Sequence, residues 1–565
     1  MTTTDKLTVQ ILVDLCAQKG VTKVVISPGS RNAPLSIAFN RHPDIETFVI
    51  VDERSAAFFA LGMAQRLCEP VAIVCTSGTA LLNYAPAVAE AYYQRIPLIV
   101  LSADRPVEWI EQDDSQAINQ QQVFANFVKQ SFQLPAEITC DDEQWYTNRI
   151  INEAINIATT DRKGPVHINI PLREPLYQTV AFPLEKQRVF STIVADDSLS
   201  EINLKYLTKK IGDAPRILIL AGFLPNDNAG KFTEVLDQIA TIDNVVVLAE
   251  PISNIQHPSV ISTIDRVLNV ITPDEIETFK PDLLISFGGA LVSKQIKTFL
   301  KNHSPIEHWY IGKGETHIDT FQSLTELIKV HPFAFLKQFV VQSKFESKAY
   351  KSLWANKLDI AKTRHQQFMQ YAPWSDLKAF EIICNHLPIN GNIQLGNSSA
   401  VRYAHLFEHQ PQLSIHSNRG TSGIDGSTST AVGAAWVSQA PTTLISGDLS
   451  FFYDSNAMWN KYLSPKLKII VISNGGGSLF RFIAGPSEVE ELDEFFEAAQ
   501  DLDIEKLVAT YGLNYLKAEN ESELNYKLID LYSSQDIPTV LEVKTPRIEN
   551  DKILKKYFQA LKQSS

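Results

Sequence analysis

At 565 residues the chain is too long for one hydrophobic core, and at ~150 residues per domain three or four domains are expected. Hydrophobic residues make up 44% and charged residues 20%, with no low-complexity tract, which excludes disordered and fibrous classes. A formal net charge of −13 argues against a general nucleic-acid or acidic-membrane surface, so anionic ligands need local basic clusters.

The opening MTTTDKLTVQ has no basic segment followed by an apolar one, and no later stretch approaches ~20 uninterrupted apolar residues. The expectation is a soluble cytoplasmic protein without a membrane partner. Cys16, Cys68, Cys75, Cys140 and Cys384 form neither a CxxC pair nor a metal-ligand spacing. A reducing compartment, buried thiols and no zinc site are expected.

Short β-branched runs alternate with helical patterns from the start, as in parallel βαβ units. In the first block TKVVIS leads into the loop PGSRNAPL, TFVIV into the helical RSAAFFALGMAQRL, and VAIVCT into SGTALLNYAPAVAEAYY; PLIVLSADRP supplies another strand. The pattern breaks in YQTVAFPLEKQRVFSTIVADDS, read as a linker. A second block has strands RILILAG, NVVVLAE, DLLISFGG and HWYIGKG and ends near Pro332. Residues 334–380 read as charged helix and connector with a break at YAPWSD, and a third block has strands GNIQLGN, LSIHSN, TTLISGD, KIIVISN and TVLEV. The fold class is therefore α/β, with three doubly wound parallel-sheet domains.

In open parallel sheets ligands collect outside the carboxyl ends of the strands. TTLISGD puts Asp448 at such an end, and 26 residues later KIIVISN ends in Asn474, followed by Gly475, Gly476 and Gly477. That separation holds one helix and one return strand, so both oxygen ligands can lie side by side. A carboxylate, an amide oxygen and a carbonyl suit a hard cation such as Mg²⁺ completed by phosphate oxygens and water. The competing reading makes Asp448 a helix cap and the glycines a plain turn.

Other positions also have two readings. Glu53 follows a strand and opens an Ala- and Phe-rich helix, where a carboxylate is favoured by the helix N-terminus alone. Ile424, in SGIDG, reads locally as core. Leu479, Phe480 and Ile483 make a short apolar surface, either ordinary helix burial or packing for a ligand. Arg31, Arg105 and Arg419 follow strand ends and Arg402 lies one helical turn after GNSS, which in an acidic chain suggests an anion site. Guanidinium groups favour bidentate carboxylate contacts.

GDLS followed by SNGGGSLF resembles the metal-and-diphosphate motif of thiamin-diphosphate enzymes, GDG with an Asn some two dozen residues on. Leu449 replaces the last Gly, and Ser473 the first of two Asn often found there. TSGTALLN, Thr76 to Asn83, resembles the TxGPGxxN segment of their pyrimidine-binding domain. SPGSRNAPL, DERSAAFFALG, SADRP, GNSSAVR and SNRGTSGIDG together resemble one branch, the menaquinone-pathway synthases that make 2-succinyl-5-enolpyruvyl-6-hydroxy-3-cyclohexene-1-carboxylate. The likeness is strong over the first and third blocks and weak over the middle one.

The resemblance implies a pyrimidine-binding domain over residues 1–185, a central transhydrogenase-like domain over 200–335 and a diphosphate-binding domain over 370–565. It implies thiamin diphosphate with Mg²⁺ (or Mn²⁺), the metal held by Asp448, Asn474 and the Gly476 carbonyl. Cofactor contacts fall on Glu53, Thr76, Gly78, Asn83, Ile424, Gly447, Asp448, Leu449, Ser450, Asn474, Gly476 and Leu479. Glu53 takes the catalytic place, bonded to the aminopyrimidine N1′, and Ile424 becomes the apolar wedge beneath the cofactor. Substrate positions are Ser30, Arg31, Arg105, Gln120, Lys294, Ser398, Arg402, Arg419, Phe480 and Ile483; Gln295 stands where an Arg often follows that Lys.

The implied reaction decarboxylates 2-oxoglutarate and adds the succinyl-type carbanion to isochorismate by a Stetter-like 1,4-addition. The implied assembly is a homodimer or dimer of dimers with each site shared between subunits. An acetolactate-type ligase or decarboxylase stays as one alternative, although no adjacent His pair is present. A non-catalytic nucleotide-binding protein of the same fold is another, although the chain has no GxxxxGK[ST] loop and no GxGxxG after a strand.

Overall fold

Three six-stranded parallel sheets organise the computed structural model, which describes residues 2–181, 186–194, 198–211, 216–225, 230–342, 349–483, 485–533 and 536–563. The expected domain boundary at Glu185 lies outside the described residues. The first sheet contains β1 (Lys23–Ile26), β2 (Glu46–Val49), β3 (Val71–Cys75), β4 (Leu98–Asp104), β5 (Ser131–Gln133) and β6 (Val166–Pro171), in the order β2-β1-β3-β4-β6-β5. The second contains β7 (Ile217–Ala221), β8 (Val245–Ala249), β9 (Val260–Ile261), β10 (Leu283–Phe287), β11 (Glu307–Ile311) and β12 (Glu326–Ile328), in the order β9-β8-β7-β10-β11-β12. The third contains β13 (Asn392–Leu395), β14 (Ser414–Ser417), β15 (Thr442–Gly447), β16 (Leu467–Ser473), β17 (Asn514–Ala518) and β18 (Thr539–Lys544), in the order β14-β13-β15-β16-β18-β17.

The outer two sheets thus share one topology, and the middle one has the 3-2-1-4-5-6 order of doubly wound nucleotide-binding folds. Central strands such as β3 and β7 are buried at every position, as expected of a sheet covered on both faces. In each sheet the strand order reverses beside the first strand, opening a crevice at the carboxyl ends. At those ends lie SPGSR and TSGT in the first sheet and GNSS and Asp448 in the third.

The chain forms two compact units. One comprises Met1–Val194, Asn418–Gln439 and Tyr453–Leu467. Here helix Glu53–Leu67 begins at Asp52, whose side chain accepts from the Ser55 N–H at 3.2 Å. It packs against helix Ser427–Val437 with backbone nearly touching backbone: a Cβ on Gly62 would lie 2.0 Å from the Thr430 carbonyl oxygen, and one on Gly433 2.0 Å from that of Phe59. Any larger residue would force these helices apart. Within the expected linker, Thr179–Ala181 pairs antiparallel with Thr2–Thr4.

The other unit comprises Ala195–Ser417, Ala440–Phe452 and Lys468–Ser565 and holds the second and third sheets. Helices Pro332–Gln342, Tyr350–Gln370 and Asp376–His386 lie in the stretch read as helix and connector, with the break at YAPWSD. Trp354 is fully buried and shares one apolar core with Leu284 and Ile393. Among the described residues no helix is long and apolar enough to cross a membrane.

Candidate active site

Asp448 leaves β15 at the N-terminus of helix Asp448–Tyr453 and is 8% exposed. One carboxylate oxygen accepts from Leu449 N–H at 2.7 Å, the other from Gly475 N–H at 2.8 Å. Burial pushes its pKa up to about 6, against the pull of those backbone donors. Asn474 directly follows the next strand, β16, and its amide nitrogen donates to Asp376 at 2.9 Å and Ser478 Oγ at 3.0 Å. The Asn474 amide oxygen remains as its acceptor. Gly476, at φ 148°, suits only glycine, and its carbonyl accepts from Ser478 N–H at 2.9 Å, leaving one lone pair.

The donors here are all oxygen, and burial, with a smaller push from the Asp448 charge, raises a second carboxylate, Asp376, to about 6. A divalent cation would neutralise this corner, so the residues fit a magnesium-diphosphate group. Asp376 was not anticipated from sequence. It orients Asn474, and its signal was the start of a helix: Ser375 accepts from Lys378 N–H as its N-cap.

In the same unit a cavity of about 140 Å³ brings together Lys294, Arg402, Leu479 and Ile483. Arg402 donates to the Ser398 carbonyl at 2.5 Å, one turn back on its own helix. Three carboxylates also line the wall, each answered by the chain. Glu250 accepts from Val292 and Ser293 N–H groups at 2.7–2.9 Å, Asp265 from Ser293 Oγ, and Asp551 from Lys555 at 3.0 Å. Gln295, at the position where Arg is common, accepts from Asn269 at 2.6 Å. Phe480 is not among the lining residues; its ring meets Phe496 with centroids 6.0 Å apart. Gly447 and Leu449 are half-buried and Ser450 is buried beside Asp448.

The other unit holds the remaining candidates. Glu53 is half-buried, and its pKa is raised, first by burial and also by the Asp52 charge. Its charge also reaches the buried Cys75 and Tyr84. Thr76 Oγ1 is buried with no hydrogen-bond partner among the described residues, an orphan that a bound cofactor would satisfy. Ser30 and Asn83 are exposed, and Gly78 is buried. Arg31, 6% exposed, donates to the Leu172 carbonyl at 3.0 Å and to Glu174 at 3.1 Å. Arg105 Nε lies 2.9 Å from Asp114. Gln120 is 1% exposed and hydrogen-bonded to Gly78, Ala103 and Asn169, so its amide acts inside the fold.

Ile424 is 39% exposed, which removes the core reading. Its loop, which also carries the buried Arg419, is held by Glu90, a second residue sequence reasoning missed. Glu90 is 1% exposed and accepts from Gly420 N–H and Thr421 N–H at 2.7 Å each and from Thr421 Oγ1 at 2.6 Å. Its only signal was a lone acid in an apolar helix, APAVAEAYY.

The family comparisons place the chain. The N-terminal TPP binding domain of thiamine pyrophosphate enzymes matches residues 7–123, their middle domain residues 201–395, and their C-terminal TPP binding domain residues 395–543. The fold is therefore that of a thiamine pyrophosphate enzyme. The chain is 45% identical over 563 residues to a 2-succinyl-5-enolpyruvyl-6-hydroxy-3-cyclohexene-1-carboxylate synthase of Porphyromonas gingivalis, covering 98% of this chain and 97% of the relative. Proteins of the same name from Flavobacterium johnsoniae (98% of each chain) and Bacteroides fragilis (99% of each) are 43% and 37% identical. The chain belongs to this synthase family, a carbon–carbon bond-forming branch of the thiamine pyrophosphate enzymes.

Proposed function

We propose that the chain decarboxylates 2-oxoglutarate and joins the remaining succinyl-type unit to isochorismate by a Stetter-like 1,4-addition. The products are 2-succinyl-5-enolpyruvyl-6-hydroxy-3-cyclohexene-1-carboxylate and CO₂, in cytoplasmic menaquinone biosynthesis. The carrying observation is the cavity where Lys294 and Arg402 meet the apolar Leu479 and Ile483 in an acidic chain. A guanidinium and an ammonium group beside an apolar wall suit a substrate that carries carboxylates.

Bound thiamine pyrophosphate supplies the electron sink that loss of CO₂ from a 2-oxo acid requires. Asp448, Asn474 and the Gly476 carbonyl would hold Mg²⁺ or Mn²⁺, with Gly447, Leu449, Ser450 and Leu479 along the cofactor. Glu53, its pKa raised by burial, would share a proton with the aminopyrimidine N1′. Thr76, Gly78 and Asn83 would line the pyrimidine side, and the exposed Ile424 would wedge beneath the cofactor. Arg402 with Ser398 would favour 2-oxoglutarate; Ser30, Arg31, Arg105, Gln120 and Lys294 would favour isochorismate; Arg419 would serve both, with Phe480 and Ile483 as apolar walls. The working unit is a homodimer, or a dimer of dimers, whose sites take the pyrimidine side from one subunit and the diphosphate side from its partner.

The test follows CO₂ release from 2-oxoglutarate and isochorismate consumption together, with pyruvate as control donor. Coupled loss of both substrates is expected. Equal or better turnover of pyruvate, or bond formation that does not depend on isochorismate, would favour an acetolactate-type ligase instead.

A further inference from the structure

We propose that Asn169 is a positioning residue that ties the Gly78 turn of the cofactor segment and the Arg31–Arg105 pair to one buried node. Asn169 lies in β6 and is 2% exposed. Its amide oxygen accepts from Ser102 Oγ at 2.7 Å and from Gln120 Nε2 at 2.8 Å. Its amide nitrogen donates to Asp104 at 2.7 Å and to Gln133 at 2.9 Å. Both donors and both lone pairs are used, which leaves the side chain a single orientation.

Two arms leave this node. Along one, Gln120 gives its second N–H to the Ala103 carbonyl at 3.1 Å and accepts from Gly78 N–H at 2.8 Å, so Asn169 decides which end of the Gln120 amide faces the cofactor turn. Along the other, the second oxygen of Asp104 accepts from Arg105 N–H at 2.7 Å, and the Arg31 charge acts on the same carboxylate. Asp104 is 4% exposed and burial pushes it up to about 6, so a lost donor there is felt strongly. His167, the node's other neighbour through Ser102 at 2.7 Å, is held down to about 4 by burial and stays neutral. The arginine arm rests on the function proposed above; the Gly78 arm rests only on thiamine pyrophosphate binding.

The test exchanges the two partners. Asn169→Asp sets two acceptors against each other, and Asp104→Asn sets two donors against each other. The double swap restores one donor and one acceptor, and the amide oxygen it places at position 104 can still accept from Arg105 N–H. Each single variant is expected to speed exchange of the Gly78 amide, weaken thiamine pyrophosphate binding in calorimetry about tenfold and raise KM for isochorismate about tenfold. KM for 2-oxoglutarate should stay within about twofold, a split that general destabilisation would not produce. The swap should bring all three back to within about threefold of the parent. A swap no better than the singles, or Gly78 exchange and cofactor affinity unchanged in both singles, overturns the proposal. If one single variant does not fold, the other and the swap carry the same comparison. Loss of the KM effect with the cofactor effect intact would remove the arginine arm and count against the function reading, leaving Gly78 positioned as described.

Discussion

Replacing Glu90 by Gln changes one atom of a buried carboxylate, and the structure says which bond suffers. Oε1 accepts from Gly420 N–H and from Gln94 Nε2; Oε2 accepts from Thr421 N–H and Thr421 Oγ1. An amide nitrogen in place of Oε1 would meet the Gly420 N–H, which cannot reverse, and the Gln94 amide, whose flip would break its bonds with Gln65 and Asn418. In place of Oε2 it meets only the Thr421 N–H, because the threonine hydroxyl can turn and accept. The second orientation is therefore preferred, and it leaves one buried backbone donor unsatisfied, at about 1–3 kcal/mol. Weakening the Gly420 bond from charged to neutral acceptor adds about 1 kcal/mol. The loop should thus open more easily by about 2–4 kcal/mol, which is roughly 30- to 1,000-fold in local exchange rate. Hydrogen–deuterium exchange across residues 418–426 reads this directly, with Thr421 affected more than Gly420. Because Arg419 and Ile424 ride on the loop, KM for the 2-oxo acid should rise while the melting temperature moves little. Exchange of Thr421 and Gly420 at the parent rate would refute the clamp.

Asp448→Ala should abolish metal-dependent thiamine pyrophosphate binding; calorimetry with and without Mg²⁺ checks it, and parent affinity in the variant would sink the ligand assignment. Mixing Glu53→Gln chains with Asp448→Ala chains should regenerate one intact site per heterodimer, and no recovery after demonstrated subunit exchange would rule out shared sites. Asp454, fully buried, accepts from Ser429 N–H and Oγ, and burial raises it from 3.8 to about 7. A raised carboxyl favours the folded state when protonated, so that contribution is present below about pH 4 and lost as pH rises through about 7. Asp454→Asn can keep both bonds, since the Ser429 hydroxyl can reverse. The variant should gain on the parent by up to roughly 1.4 kcal/mol per pH unit across that window in denaturant titrations, and parallel pH profiles would contradict it.

The strand ends, the Asp448 and Asn474 positions and the three α/β blocks were readable because they depend on short-range signals. Apolar runs of strand length, glycine turns and residue type at a carboxyl end are all local. Strands β5, β9 and β12 are absent from the sequence reading because two or three residues carry no measurable period; β6, which alternates as VHINIP, and β17, NYLKA, are absent from it too. What only the tertiary structure decided is who partners whom. Asp376 reaches Asn474 across 98 residues, Asn169 reaches Asp104 across 65, and Glu90 reaches Gly420 across 330. The segment Asn418–Gln439 packs with the first block although it lies within the third along the chain. Sequence spacing specifies a residue's chemistry and its place on an element. A buried polar group takes its partner from whichever elements the topology brings beside it, and that choice is made by long-range chain reversals, with the cost of leaving such a group unpaired enforcing it.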